Sequence, residues 1–319
     1  MLYLINKRLE KLMPMITPVS VVLGVLLAGY LKDYSFLIPW LFAFMTFAGS
    51  LGSSFKSITD VAQHPFPVFA ALLILHVLMP LWAWGAGHLA FAGDAYTITG
   101  LILAMVIPTG ITSFIWVSIY KGNLPLTLSI ILFDTLLSPL IVPYSLSLFM
   151  GQHVEMDFWG MLKGLLGMIV VPSLVGMILN QVTNGTIQQR LGVRLAPISK
   201  IFLGVVVALN GAVVAPYLKN INGKLVSIAL VAFLIALSGY LLSFLIGRLL
   251  GCDRGTVVSL VFTGGMRNIS AGAVIAVSYF PAAVAVPVVI GMLFQQVLAS
   301  LSGHFLEKYY YKKEHSISL

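Results

Sequence analysis

Along most of this chain apolar residues run on without the regular polar interruptions of a half-buried helix or strand. About 20 such residues carry a helix across ~30 Å of hydrocarbon. Runs of that kind predict spans near residues 14–31, 36–55, 65–91, 97–120, 124–149, 157–181, 196–217, 225–248, 255–279 and 281–305. Gly122-Asn123 and Pro281 mark tight turns after the fourth and ninth spans. The predicted fold class is an all-α polytopic membrane protein of about ten transmembrane helices.

Two spans lose their helical character at mid-length. The fourth reads Val106-Ile-Pro-Thr-Gly-Ile-Thr-Ser-Phe, and the ninth reads Val261-Phe-Thr-Gly-Gly-Met-Arg-Asn-Ile. Each places Gly and small polar residues after an apolar half-helix. They stand five spans apart, so halves of about 14–149 and 157–305 form two inverted five-helix repeats with broken helices 4 and 9. Paired interruptions of this kind mark a midplane binding site in secondary transporters. Unwound backbone in hydrocarbon needs partners, and half-helix N-termini offer positive dipole ends to an anion. A Gly/Pro kink that serves only helix packing is the alternative; the matched positions favour the site.

Composition agrees. Hydrophobic residues make up 59% of the 319 and charged residues 9%, against about a quarter charged in a soluble domain. The net charge of +8 does not indicate nucleic acid, because the basic residues lie between apolar runs rather than in a patch. They set an orientation instead. With the N-terminus inside, Lys7, Arg8, Lys11, Lys56, Lys121, Arg190, Arg194, Lys200, Arg248, Arg254, Lys308, Lys312 and Lys313 fall on the inner side. Only Lys32, Lys163, Lys219 and Lys224 fall outside. This bias predicts a multi-pass protein of the cell membrane with both termini cytoplasmic. The single cysteine, Cys252, excludes an intrachain disulfide and argues against a thiolate metal site. No nucleophile–base motif or paired intramembrane acid supports an enzyme.

One basic residue, Arg267, is left inside a span. A cation at that depth needs a partner or a wet cavity. The candidate partner is Asp134 in the fifth span, since Asp60, Asp94, Glu155, Asp157 and Asp253 fall near membrane edges.

At Pro108-Thr-Gly-Ile-Thr-Ser-Phe, Lys121-Gly-Asn-Leu-Pro-Leu-Thr, Leu137-Ser-Pro-Leu and Gly265-Met-Arg-Asn the chain resembles the bile acid:sodium symporter family. His64-Pro65 and Met79-Pro80 agree, and the resemblance covers nearly the whole chain. It implies a core of spans 3–5 and 8–10, a panel of spans 1, 2, 6 and 7, and alternating-access transport of an organic anion, either bile-acid-like or a small carboxylate. Members that bind two sodium ions carry a Glu and a Gln in the ninth span, where this chain has Thr263 and Arg267. A Ser-Asn in the fourth span is here Ser113-Phe114, fifth-span hydroxyls are Thr127 and Ile131, and a third-span Gln is Leu75, beside His76. Hard cations take about six oxygen ligands, so this set predicts against sodium coupling. A sodium symporter with a reduced ion site is the alternative reading.

The Arg267 guanidinium is accordingly expected to replace sodium as the fixed positive charge between the broken helices. Three roles stay open for Arg267 and Asp134: a permanent pair in a uniporter or exchanger, proton uptake by Asp134 that frees Arg267 for a carboxylate, or a structural salt bridge. Candidate ion-coupling residues are Asp134, Arg267, Thr127 and Thr263. Candidate substrate contacts are Asn268, Arg267, Thr109, Thr112, Ser113, Gln295 and Asn210, while His76 and His88 are expected to be packed or interfacial. The partners expected are a small organic anion and the lipid bilayer, with no nucleic acid, no cofactor and no metal site, as a monomer or a homodimer.

Overall fold

A computed structural model describes residues 2–55, 65–150, 154, 156–219 and 221–316, with backbone alone at 2–5, 7–11, 13–14 and 311–316. Lys56, Asp60, His64 and Glu155 lie outside the described residues.

The regular structure of the described residues is all helical, with no strand. In chain order the helices are α1 (Leu2–Leu26), α2 (Ile38–Ser50), α3 (Pro65–Ala90), α4 (Ala95–Val106), α5 (Thr112–Ile119), α6 (Leu124–Met150), α7 (Phe158–Val182), α8 (Gln188–Leu218), α9 (Gly223–Leu249), α10 (Arg254–Gly265), α11 (Ile269–Tyr279) and α12 (Ala282–Ser316). Seven segments among the described residues are long and apolar enough to cross a membrane: α3, α6, α7, α8, α9, α10 with α11, and α12 as far as Tyr310. An eighth is the pair Met15–Leu26 and Ala28–Ser50, bent by 83° at its break. The expected fourth span is shorter than a membrane span, because α4 has 12 residues and stops at Val106.

Helix ends differ from the hydropathy reading where polar residues continue a helix beyond lipid. Thus α1 begins well before residue 14, α8 begins at Gln188 rather than near 196, and α12 runs on through the Tyr309-Tyr-Tyr segment. There Arg248 and Arg254 lie 5.7 and 5.4 Å from the rings of Tyr309 and Tyr310, an interfacial arrangement of cation and aromatic.

Both interrupted segments start alike. Asp94 caps α4 by accepting from Thr97 N, and Asp253 caps α10 by accepting from Thr256 N. In each case the threonine hydroxyl also donates to the same carboxylate, at 2.5 and 2.6 Å. Burial by itself pushes each of these two carboxyls up, but the hydrogen bonds outweigh it and hold both below the usual range. Lys224, at 2.7 Å from Asp94, adds to the effect there.

In the packing, α1 lies along α8, and α2 packs on α7 and α8. Elsewhere α4 packs on α3, α6 and α12, and α9 packs on α10 and α12. The two sets meet where α8 packs on α12 and α7 on α6. The α10–α11 segment is the innermost, with 78% of its apolar window buried against 28% for α9.

The α1–α8 contact requires Gly24. A Cβ there would stand 2.9 Å from the carbonyl carbon of Ala208 and 3.0 Å from its Cα. Gly24→Ala is therefore expected to force the two backbones apart at a cost of about 1–3 kcal/mol. Thermal unfolding of the detergent-purified protein checks this, and a melting temperature equal to wild type would show that the contact is looser than described.

Candidate functional site

The polar residues of the chain converge where the two interrupted segments meet. The helix is interrupted at Ile107–Ile111 and at Met266–Asn268, and the two breaks touch backbone to backbone. Asn268 N donates to Pro108 O at 2.8 Å. Thr109 Oγ1 donates to Thr263 O at 2.8 Å and to Met266 O at 3.1 Å. Gly110 permits this approach, since a Cβ there would lie 2.9 Å from Arg267 O. The break residues thus satisfy much of each other's freed backbone, as an apolar surrounding demands.

Arg267 completes the junction. Its side chain is 2% exposed. Nε donates to Met105 O at 3.1 Å, at the end of α4, and Nη1 donates to Gly264 O at 2.7 Å and Met266 O at 3.3 Å, at the end of α10. Helix C-termini present unpaired carbonyls and the negative end of the helix dipole. One planar guanidinium therefore joins the ends of two half-helices, and its fixed fork suits several acceptors at once. The Arg267 backbone N–H donates to Gln295 Oε1 at 3.1 Å, tying the break to α12.

Asp134 is fully buried on α6, but Arg267 is not its hydrogen-bonding partner. Its Oδ1 lies 2.5 Å from His76 Nε2, and its Oδ2 accepts from Thr109 N at 2.6 Å. The expected Arg267–Asp134 pair is thus replaced by two arrangements, an anion on the N–H side of one break and a cation on the carbonyl side of both. His76, expected to be packed or interfacial, faces Asp134 because α3 has a widened π turn at Ile74–Leu78, a feature frequent at functional sites. His88 instead bonds Trp84 O within its own helix.

The other candidates divide. Thr127 and Thr263 are buried, but each hydroxyl donates back to its own helix, to Asn123 O and Ser259 O, both at 2.8 Å. The hydroxyl of Ser113 is buried and has no partner among the described residues. Asn268 caps α11 by accepting from Ala271 N.

Beside the junction is a cavity of about 370 Å³. Arg267, Asn268, Gly110, Thr112 and Gln295 line it from the broken segments and α12. Thr17, Phe42, Thr46, Gln188, Ser199 and Lys200 line it from α1, α2 and α8. No acidic side chain lines it among the described residues, and its rim includes the exposed Gln188. Asn210, expected to face the cavity, does not: it is fully buried further along α8, next to Gly211, where Val21 and Gly24 of α1 close over the helix. Lys200, expected at the inner end of the span 196–217, sits within α8 and donates to Asn6 Oδ1 at 2.5 Å. The small or polar set Gly192, Ala196, Ser199 and Lys200, at helical spacing, is the sequence signal for that cavity face.

The sodium bile acid symporter family model matches residues 39–221, more than half of the chain. The chain belongs to this family. It is 56% identical over 297 residues to the uncharacterized protein YbaS of Bacillus subtilis (strain 168), covering 93% of this chain and 97% of that one. It is 27% identical over 286 residues to the uncharacterized sodium-dependent transporter YocS of the same organism, covering 87% and 86%. The probable sodium/metabolite cotransporter BASS1, chloroplastic, of Arabidopsis thaliana is 27% identical over 242 residues, covering 74% of this chain and 58% of that one. Family and relatives make this chain a membrane transporter.

A sodium ion calls for oxygen ligands free to turn toward it. Carbonyls at both breaks are engaged by the Arg267 N–H groups, Leu75 is an apolar buried side chain, and the guanidinium itself repels a second cation at that place. Arg267→Met should leave Met105 O and Gly264 O without their side-chain donor, costing roughly 1–3 kcal/mol for each acceptor left unpaired, while Met266 O keeps Thr109 Oγ1. A large drop in melting temperature in detergent is the expected result. An unchanged melting temperature would mean that the guanidinium does not hold the junction.

Proposed function

We propose that this chain is a secondary transporter of a small organic anion, that it works by alternating access, and that Arg267 takes the place of sodium. The observation that carries this reading is the cavity of about 370 Å³, which meets both helix breaks at one end, contains Lys200, and has no acidic lining among the described residues. Its size lies within the range of small-molecule sites, and its cationic lining suits a carboxylate. At its inner end stand the N-terminus of α11, 11 residues long, and the Asn268 cap, a donor-rich place for an anion.

The same reading takes the protein as ten spans in two inverted repeats. The shared Asp-x-x-Thr caps, the equal 12-residue lengths of α4 and α10, and the matched breaks support it. The fourth span is then α4 with α5, and the bent pair at residues 15–50 supplies the first two. The group of α1, α2, α7 and α8 acts as the panel, and the remaining helices as the core. With the basic ends inside, the cavity rim at Gln188 faces the cytoplasm, an inward-facing arrangement.

Counterflow exchange in liposomes tests the function. Labelled acetate, pyruvate and benzoate are offered as a size series, in sodium and again with sodium replaced by choline. Exchange of at least one carboxylate at a rate indifferent to sodium is expected, and Lys200→Gln should raise its KM about tenfold, as loss of one charge-assisted hydrogen bond implies. Exchange that requires sodium would contradict the reading, as would a variant with unaltered KM.

A further inference from the structure

We infer that His76 and Asp134 form a proton-binding site, and that the protein carries one proton with each carboxylate charge. The inference rests on the organic-anion reading above and deepens it by naming the coupling ion. Asp134 is fully buried, with one oxygen 2.5 Å from His76 Nε2 and the other accepting from Thr109 N at 2.6 Å. That leaves the imidazole Nε2–H donating to the carboxylate. His76 Nδ1 is buried and has no hydrogen-bond partner among the described residues. It is the position at which a second proton binds or leaves.

Charge counting shows what that proton does. With Nδ1 bare, the pair carries the single negative charge of Asp134, which offsets the Arg267 guanidinium, and the junction is neutral. With Nδ1 protonated, the imidazolium and carboxylate cancel, and the junction carries the net positive charge of Arg267. A carboxylate in the adjoining cavity is then balanced, whereas without the proton it enters a neutral region. Bound proton and bound anion therefore favour each other, and the linkage is reciprocal.

A short covalent and hydrogen-bonded path joins the two places. Asp134 holds the backbone N–H of Thr109, whose hydroxyl holds Met266 O, and Met266 precedes the cavity residues Arg267 and Asn268. Imidazole is the side chain whose ordinary charge change falls near neutral pH. The charged or titratable groups facing the pair are few. Arg267, on the α10–α11 link, acts on Asp134 through its charge, and Tyr240 of α9 stands beside Arg267 rather than against the pair. The helix α4 brings none, because Asp94 and Tyr96 stand at its far end. On α3 itself His88 lies three turns away, and Lys224, Arg248 and Arg254 occupy the ends of α9 and α10.

The first test uses the proton alone as the probe. The detergent-purified full chain, labelled with nitrogen-15 at histidine, is titrated from about pH 5 to 9, the interval that brackets the imidazole transition. The His76 resonances are assigned by their loss in His76→Gln. Titration of Nδ1 within that interval, altered in Asp134→Asn, is expected; an Nδ1 that never titrates, or titrates identically in Asp134→Asn, would overturn the site. The second test uses whichever of acetate, pyruvate and benzoate exchanges in counterflow. An inward-directed proton gradient, with membrane potential clamped to zero, should drive its accumulation. His76→Gln should lower that accumulation by about tenfold or more while slower counterflow persists. Counterflow without proton-driven accumulation would refute the coupling and leave the transport reading intact. Failure of all three carboxylates to exchange would count against the transport reading, while the titration still decides the proton site.

Discussion

The constraint on which this structure turns is the fate of backbone groups freed where two helices stop inside a membrane. In hydrocarbon each unpaired N–H or C=O costs several kcal/mol, and two facing breaks multiply that cost. The molecule answers with opposite charges on opposite kinds of group. A guanidinium gathers carbonyls from the ends of α4 and α10. A carboxylate takes the Thr109 N–H that α4 has abandoned. The threonine hydroxyl then stitches one break to the other. On the proposed reading this resident cation stands in for an ion from solution, which makes the chain a family member whose sodium position is filled by its own side chain.

The cavity inherits its character from that junction. Its inner end is made of the residues that close the breaks, and its opposite wall belongs to α1, α2 and α8. Lys200 rides on one wall and Asn268 on the other. On the proposed reading, an anion held between them feels both groups, so a relative movement of core and panel changes its surroundings while the junction itself stays intact. Gln295 belongs to both parts of this arrangement, since it lines the cavity and accepts the Arg267 backbone N–H.

Much of this was legible from residue order. Seven apolar spans, the two breaks, and the anomaly of an arginine at mid-span all follow from hydropathy and from the conformational habits of Gly and Pro. So did the resemblance to the symporter family, which the family match upholds. What escaped was direction in three dimensions. Hydropathy reports contact with lipid and says little about where a helix ends once it leaves, so α8 began eight residues earlier than expected and added Gln188 and Gly192 to a cavity wall. His76 was hidden for a different reason. Its neighbour Leu75 occupied the position that the resemblance singled out, and only the widened turn of α3 shows which of the two side chains meets Asp134. Asp134 was correctly singled out as a buried acid, but depth alone could not tell an arginine partner from a histidine one.

The measurement that bears most directly on the guanidinium as resident cation is equilibrium binding of radioactive sodium to the purified protein, with potassium or choline as the balancing salt. A side chain that fills the ion position and occupies its carbonyls predicts no saturable binding and no shift in melting temperature between the salts. Saturable binding in the millimolar range, lost on Thr127→Val or Thr263→Val, would contradict the account and return the hydroxyls to the role of ion ligands.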